Sequence, residues 1–252
     1  MMVAALPRVA VVGGGGPLGI LLFGMLQREA QDRRAEHRLG EPLAVCGSTD
    51  GAKRLSKGVY QKFGMAFVPE PCVRFADGTS AASIGSALRG AEIAIVGECA
   101  VQQRKLPPAW LPTFSLVPEY PLEFDLDGGL GSSAVIDEHV RGAFSASVPR
   151  LIVLTSRAET ADLEAALNDD AGGGAPRATV VSTAACELED EVEWTYLAPP
   201  HARPLRATAA GAAAGGGLRS RVPLPELARF VVELARTPAA GVGVDVVSAW
   251  PT

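Results

Sequence analysis

The chain has 252 residues, of which 48% are hydrophobic and 20% charged, so it can bury a full core as one α/β domain. A net charge of -5 argues against nonspecific nucleic-acid binding, which needs a basic surface. Its four cysteines form no Cys-x-x-Cys pair, so neither a zinc site nor a disulfide framework is indicated, and no metal site is predicted. Few residues precede the first predicted strand, too few for a signal peptide unless a precursor is processed. We therefore expect a soluble protein of a reducing compartment, the cytosol or an organelle interior.

The first predicted element leads into four consecutive glycines. Arg8–Val12 predicts a strand, and an apolar helix begins at Pro17, where a missing N–H costs nothing. The glycines fit two spacings of phosphate-binding turns, Gly-x-Gly-x-x-Gly and Gly-x-x-Gly-x-x-Gly. Without a Cβ the backbone can approach a pyrophosphate, and the helix start offers N–H groups to the anion. The predicted dinucleotide contacts here are Gly13, Gly14, Gly16, Pro17, Leu18 and Gly19.

Two other interpretations of this stretch stay open at this point. The segment Val9–Leu26 carries no charge and has the length of a membrane span, although four glycines and a proline disfavour an unbroken helix. The glycines could also form a turn that binds nothing.

The second predicted strand, Pro42–Cys46, ends without the carboxylate that usually binds the adenosine ribose of NAD. Ser48 and Thr49 follow it, and Lys53 and Arg54 come one turn later. Hydroxyl and cationic groups suit a 2′-phosphate, so this region predicts NADP(H) over NAD(H). The alternative is that the two cations only form a solvated helix face.

The next elements are a third strand within Met65–Phe75, a helix over Ala81–Arg89 and a fourth strand over Gly90–Gly97. The fourth strand is almost continuously apolar, as expected when helices cover both faces of a parallel sheet. Gly97 stands at its carboxyl end, where such sheets bind ligands.

Residues 98–131 contain five prolines with aromatic residues between them and predict no regular element. A loop this long is usually a lid, a binding loop or a docking segment, and its aromatics argue against simple disorder. We expect residues 99–131 to contact a protein partner or to cover the cofactor cleft, unless the loop only packs on its own domain.

The stretch Arg177–Glu191 is ambiguous, because a β-branched run is followed by an acidic tail, and helix is our prediction for it. The other predicted elements are a helix over Ser133–Ser147, a fifth strand Arg150–Arg157, a helix over 158–168, a loop Asn168–Pro176, a sixth strand Glu193–Pro200, an Ala/Gly-rich stretch to Gly217, a helix Pro225–Arg236 and a last strand Val242–Ser248.

In this order the elements resemble the atypical short-chain dehydrogenase/reductase proteins, the NmrA-like or NAD(P)H-binding group. The matching motifs are the glycine turn, LRGAEIAIVG at 88–97, VPRLIVLTSR at 148–157, VEWTYLAPP at 192–200 and VPLPELARFVVELARTP at 222–238. The resemblance implies a Rossmann-type doubly wound parallel sheet in one domain, 1–252, with the loop insertion at 98–131 and a small C-terminal substrate or cap region at about 199–252. It implies NAD(P) along the carboxyl edge, with Gly97, Thr155 and Pro199 as further contacts.

The sequence departs from this resemblance at the reacting groups. Active members use a Tyr-x-x-x-Lys pair for proton transfer, and no such pair exists here, since the lysines are Lys53, Lys57, Lys62 and Lys105. Ser156 matches the position of the family's catalytic serine, although such a hydroxyl often bonds nearby backbone instead. His201, after the diproline, is the titratable candidate near the nicotinamide end, unless it is a plain surface histidine.

These features predict a noncatalytic, NAD(P)(H)-binding accessory or scaffold subunit of a larger assembly. The alternatives are a reductase that passes hydride to a flavin or quinone, which needs no protein acid, and a redox sensor that reads the NADPH/NADP ratio.

Overall fold

The computed structural model describes residues 6–31, 39–65, 68–97, 101–103, 133–155, 177–183, 186–188, 205–209, 222–237 and 244–248. Their helices are α1 (Pro17–Gln31), α2 (Thr49–Phe63), α3 (Ala81–Leu88), α4 (Ser133–Ser145) and α5 (Leu224–Arg236). Their strands are β1 (Val9–Val12), β2 (Leu43–Cys46), β3 (Val73–Phe75), β4 (Ile93–Gly97), β5 (Val101–Gln103), β6 (Arg150–Thr155), β7 (Arg177–Thr183), β8 (Cys186–Leu188), β9 (Leu205–Ala209), β10 (Val222–Pro223) and β11 (Val244–Ser248).

The main sheet has the strand order β3-β2-β1-β4-β6-β7-β11-β9. Every neighbouring pair is parallel except β11 and β9, which are antiparallel. The chain first builds outward from β1 to β3, then returns to β4 and builds in the other direction. The strand order therefore switches between β1 and β4, which confirms the predicted doubly wound Rossmann-type sheet.

Helices cover both faces of this sheet, and the strands are apolar on both sides for that reason. In β1, Val9 and Val11 face the layer of α1 and α5, while Ala10 and Val12 face the layer of α3 and α4. Helix α2 lies beside α1 and buries Leu55 in a cluster with Ala44 and Cys46 of β2. The uncharged segment proposed as a membrane span is thus divided into strand, turn and helix. Among the described residues, no helix combines the length and the apolarity needed to cross a membrane.

Helix α4 ends in a residue of unusual conformation. Ser147 follows the helix with a φ of 53°, in the left-handed region that glycine normally occupies. The Ser147 N–H donates to the Phe144 carbonyl (2.9 Å), and the Val148 N–H donates to the Ala143 carbonyl (3.2 Å). This is the Schellman pattern of helix termination, formed here with a serine at the glycine position.

An arginine at the start of β6 closes the carboxyl end of α5. The Arg150 guanidinium donates to the carbonyl oxygens of Leu234 (2.5 Å), Ala235 (3.2 Å) and Thr237 (2.5 Å). The Leu234 carbonyl also accepts from the Thr237 N–H (3.2 Å). The last carbonyls of a helix lack their regular intrahelical donors, and a cation there also complements the helix dipole. Burial lowers the pKa of Arg150, which nevertheless stays protonated.

The predicted helix over Arg177–Glu191 is wrong, because this stretch forms β7 and β8. Ala178 and Val180 are buried against one helix layer and Val181 against the other, so the β-branched run decides the structure despite the acidic residues after it. Strand β7 pairs with β6 and holds the place predicted for Glu193–Pro200. That segment, the predicted helix 158–168 and the loop Asn168–Pro176 lie outside the described residues.

A second, three-stranded parallel sheet has the order β10-β8-β5. Strand β5 follows β4 and β8 follows β7, each after a short connection. In the main sheet β6 separates β4 from β7, whereas β5 and β8 pair directly. The two chain segments therefore converge beyond the carboxyl end of β6. The sequence predicted neither β5, in the loop region, nor β9, in the Ala/Gly-rich stretch.

Candidate functional site

The glycine turn lies at the carboxyl end of β1, beside the switch in strand order. Gly13 has a φ of 79°, which requires glycine. The N–H groups of Gly13 and Gly14 donate to the Val45 carbonyl (2.9 and 3.0 Å), and the Gly16 N–H donates to the Gly13 carbonyl (3.0 Å). The turn is therefore fastened to β2 before the chain enters α1.

The glycines of this turn face different surroundings. A Cβ on Gly14 would lie 2.8 Å from Ala44 Cβ, and one on Gly19 would lie 2.8 Å from Gly14 Cα and would overlap the Gly13 carbonyl oxygen. A Cβ on Gly16 would instead meet only the Gly13 oxygen, at 3.4 Å. Gly14 and Gly19 are thus needed for packing. Gly16 instead borders open space, where a ligand group can approach the backbone closely.

The start of α1 presents N–H groups that other parts of the described chain do not use. The backbone N–H groups of Gly15, Leu18 and Gly19 donate no hydrogen bond to another described residue. Pro17 has no N–H to satisfy, and the first N–H used within the helix region is that of Ile20, which donates to the Gly16 carbonyl (2.9 Å). Unpaired N–H groups at a helix start, with the positive end of its dipole, suit a pyrophosphate.

The residues predicted for the 2′-phosphate lie at the amino end of α2, directly after β2. Ser48 caps the helix, since its hydroxyl oxygen accepts from the Gly51 N–H (3.1 Å). Thr49 is exposed. Lys53 pairs with Asp50 (3.1 Å) on a surface where both side chains are mostly exposed, and Arg54 is half-buried. The structure thus gathers these groups near the turn, with a carboxylate among them.

One contact of the site escaped the sequence prediction. A Cβ on Gly15 would lie 2.6 Å from Gly51 Cα and 2.8 Å from the Gly51 carbonyl oxygen, so the turn and the first turn of α2 touch backbone to backbone. A glycine inside a helix costs about 1 kcal/mol relative to alanine, and this is a signal of a close approach. Gly51 is such a glycine, but the sequence does not show that it contacts Gly15.

Gly97 and Thr155 lie at the carboxyl ends of β4 and β6, on the side of β1 opposite to β2. Gly97 has a φ of 125°, and a Cβ there would lie 2.7 Å from the Leu154 nitrogen and would overlap the Leu154 carbonyl oxygen. Thr155, in the paired strand β6, is buried. The structure therefore brings both residues to the edge predicted for them. Ser156, Pro199, His201 and the segment 99–131, apart from the backbone of β5, lie outside the described residues.

Titratable groups near this edge are few within the described ranges. Asp77 follows β3, and hydrogen bonds from the Thr79 hydroxyl (2.7 Å) and N–H (2.9 Å) hold the pKa of its carboxyl below the usual value. His139 of α4 is 1% exposed, and burial lowers its pKa. At the opposite, amino edge of the sheet, directly before β3, burial and then a hydrogen bond to Glu41 raise the pKa of the Cys72 thiol to about 11. No group of His, Cys, Asp and Glu that could hold a metal is found among the described residues.

The sheet order, the helix layers and the glycine turn define a Rossmann-type α/β fold. No protein-family model matches the chain, and no curated protein matches it. It is similar to a short-chain dehydrogenase/reductase from Veillonella parvula DSM 2008 solved in complex with NADP (9% identity, 98% of this chain, 96% of that chain, TM-score 0.58). It is also similar to a Rossmann-fold NAD(P)-binding family protein from Shigella flexneri (11% identity, 97% of this chain, 94% of that chain, TM-score 0.53). At these identities the likeness shows a common fold.

Proposed function

We propose that this protein binds NADP(H) across the carboxyl edge of its sheet, with the pyrophosphate at the glycine turn. The observation that carries the proposal is the open side of Gly16 at the switch in strand order, next to the N–H groups of Gly15, Leu18 and Gly19, which donate to no other described residue. When bound, the nicotinamide supplies or accepts a hydride. The chain's own residues would bind the phosphates at the turn and border the nicotinamide half with Gly97 and Thr155.

Isothermal titration calorimetry with NADPH tests this proposal. Gly16→Val places a branched side chain in the open space beside the turn and should abolish or strongly weaken binding. Ser86→Val, at an exposed position of α3 on the opposite helix layer, is the matched control and should bind as the wild type does. Equal NADPH affinity in the Gly16→Val variant and the wild type, or no affinity in either, would contradict the proposal.

We infer NADP(H) over NAD(H) because β2 ends without a carboxylate and leads into Ser48 and Thr49. The Veillonella parvula protein of similar fold was solved with NADP. Asp50 and its ion pair with Lys53 make the margin modest, since a carboxylate near the site opposes a phosphate. A thermal-shift comparison in which NAD stabilises the protein more than NADP would reject this preference.

The role we propose is that of a noncatalytic cofactor-binding accessory or scaffold subunit. Its support is the sequence, which contains no Tyr-x-x-x-Lys pair and no lysine after Lys105. The long Pro/aromatic segment 99–131 is the candidate attachment to a protein partner. Deleting Leu106–Phe124 behind a short Gly/Ser linker should leave a folded protein with lost partner binding or altered cofactor affinity. A deletion variant that cannot fold would show that the segment belongs to the core.

A reductase that passes hydride to a flavin or quinone is the second candidate, because such acceptors need no protein acid. NADPH oxidation followed at 340 nm with FMN or menadione separates the two roles. Binding of NADPH without turnover favours the accessory role, and turnover that Gly16→Val abolishes favours the reductase. A redox sensor would share the binding site and would differ in changing its partner between NADPH and NADP.

A further inference from the structure

The amino end of α2 lies directly on the glycine turn, with no side chain between the two backbones. A Cβ on Gly15 would come within 2.6, 2.8 and 2.9 Å of the Cα, carbonyl oxygen and carbonyl carbon of Gly51. The Gly51 N–H is in turn held by the Ser48 hydroxyl that caps α2. Atoms of a fixed backbone cannot move aside as the end of a side chain can, so this contact sets how far α2 lies from the turn.

The two elements joined here would serve different parts of the cofactor in the function proposed above. The turn and α1 offer N–H groups for the pyrophosphate, which NADP and NAD share. The amino end of α2 carries Ser48, Thr49 and Lys53, the groups near a 2′-phosphate, which NADP alone has. The distance between the two sets of groups therefore bears on discrimination between the cofactors and not on affinity for dinucleotides in general.

We propose that the Gly15–Gly51 contact is the positioning element for cofactor choice: it holds the 2′-phosphate groups of α2 at the distance from the pyrophosphate site that NADP(H) requires. Gly15 and Gly51 act here as positioning residues, because their contact sets the place of α2 relative to the turn. The inference rests on the proposed function and adds the residues that determine its specificity.

Gly15→Ala tests the inference, because its methyl group must separate α2 from the turn, which is bonded to β2 through Gly13 and Gly14, and it removes no backbone N–H donor. The dissociation constants for NADPH and NADH are measured by calorimetry in both proteins. We expect the preference for NADPH to fall about tenfold, since a charge-assisted hydrogen bond to a phosphate contributes about a factor of ten or more in affinity. NADH affinity should change much less.

Gly58→Ala is the matched control in the same helix. Its Cβ would lie 2.7 Å from Ile20 Cγ2, so it disturbs the packing of α2 on α1 two turns further along, against a side chain that can move. The cofactor preference should remain that of the wild type. An equal loss of NADPH and NADH affinity in Gly15→Ala, or an equal loss of preference in Gly58→Ala, would overturn the inference.

A measurement on the wild-type protein covers the case in which Gly15→Ala does not fold. NADPH should slow backbone amide hydrogen exchange in residues 49–55 more than NADH does, while both slow exchange in residues 13–19 alike. Equal protection of residues 49–55 by the two cofactors would overturn the inference and leave dinucleotide binding intact. Absence of binding of either cofactor would overturn the proposed function itself.

Discussion

Replacing Arg150 by methionine should release the carboxyl end of α5 from β6. The methionine keeps most of the apolar stem but removes the guanidinium that donates to the carbonyls of Leu234, Ala235 and Thr237. Helix α5 buries Leu227 and Val231 in the cluster that also contains residues of α1, the helix that carries the glycine turn. Loss of this cap should therefore lower the stability of the helix layer next to the candidate site.

The magnitude follows from the three hydrogen bonds. Each bond to a charged donor contributes about 1.5–3 kcal/mol, and a cation at a helix end adds about 0.3–1 kcal/mol. The bonds share one side chain that is partly solvated, so their sum is an upper bound, and we expect a loss of about 2–4 kcal/mol in the free energy of unfolding. For a chain of this size that corresponds to a fall of about 4–16 °C in the melting temperature.

Urea denaturation followed by circular dichroism measures this loss. Arg141→Met is the control, because Arg141 is 70% exposed and, among the described residues, forms an ion pair with Glu138 alone. Loss of such a surface pair should cost about 0.5 kcal/mol or less. Arg150→Lys keeps the charge without the planar fork and should fall between the wild type and Arg150→Met. A loss in Arg150→Met no larger than that in Arg141→Met would refute the reasoning.

Substitutions at three further features give additional tests. Ser147→Gly should raise the free energy of unfolding by about 0.5–1 kcal/mol, because it relieves the left-handed conformation, and Ser147→Ala should not; melting curves of both decide this. Burial lowers the pKa of His139 in the folded state, so unfolding takes up a proton and the free energy of unfolding should fall as the pH drops below about 6.5. His139→Leu should reduce this dependence of the free energy of unfolding on pH, measured by urea titration at several pH values. An unchanged pH dependence would contradict the prediction. Gly19→Ala should lower the free energy of unfolding by about 3 kcal/mol or more, because its methyl group overlaps the Gly13 carbonyl oxygen, whereas Gly16→Ala should change this free energy little. Equal melting temperatures of the two variants would contradict the packing described for Gly19.

Local patterns predicted the elements that position the turn. The β-branched run before Gly13, the apolar strand that ends at Gly97 and the helix that begins near Pro225 are each marked by a glycine or proline, and all three are confirmed within a few residues. These boundaries depend on the backbone freedom of single residues, and the sequence displays them directly.

The features that were missed depend on distant parts of the chain. Strand β7 was predicted as helix because its acidic tail was counted, whereas burial between two helix layers favours its β-branched residues. Strand β9 is held by pairing with β11 in an Ala/Gly-rich stretch without a strand pattern. The Gly15–Gly51 contact requires the placement of α2 on the turn, which no spacing of residues in the sequence contains.

The second sheet has a consequence for the order in which the protein opens. Its strands β5, β8 and β10 are two or three residues long and come from segments far apart in the chain, so it gains few hydrogen bonds for a large loss of chain entropy. The longer parallel strands β6 and β7 of the main sheet are paired over six residues and have many more hydrogen bonds. We therefore expect the second sheet to form late in folding and to open first in native-state hydrogen exchange. The opening of the second sheet would then be a local unfolding equilibrium, separate from the global stability of the protein.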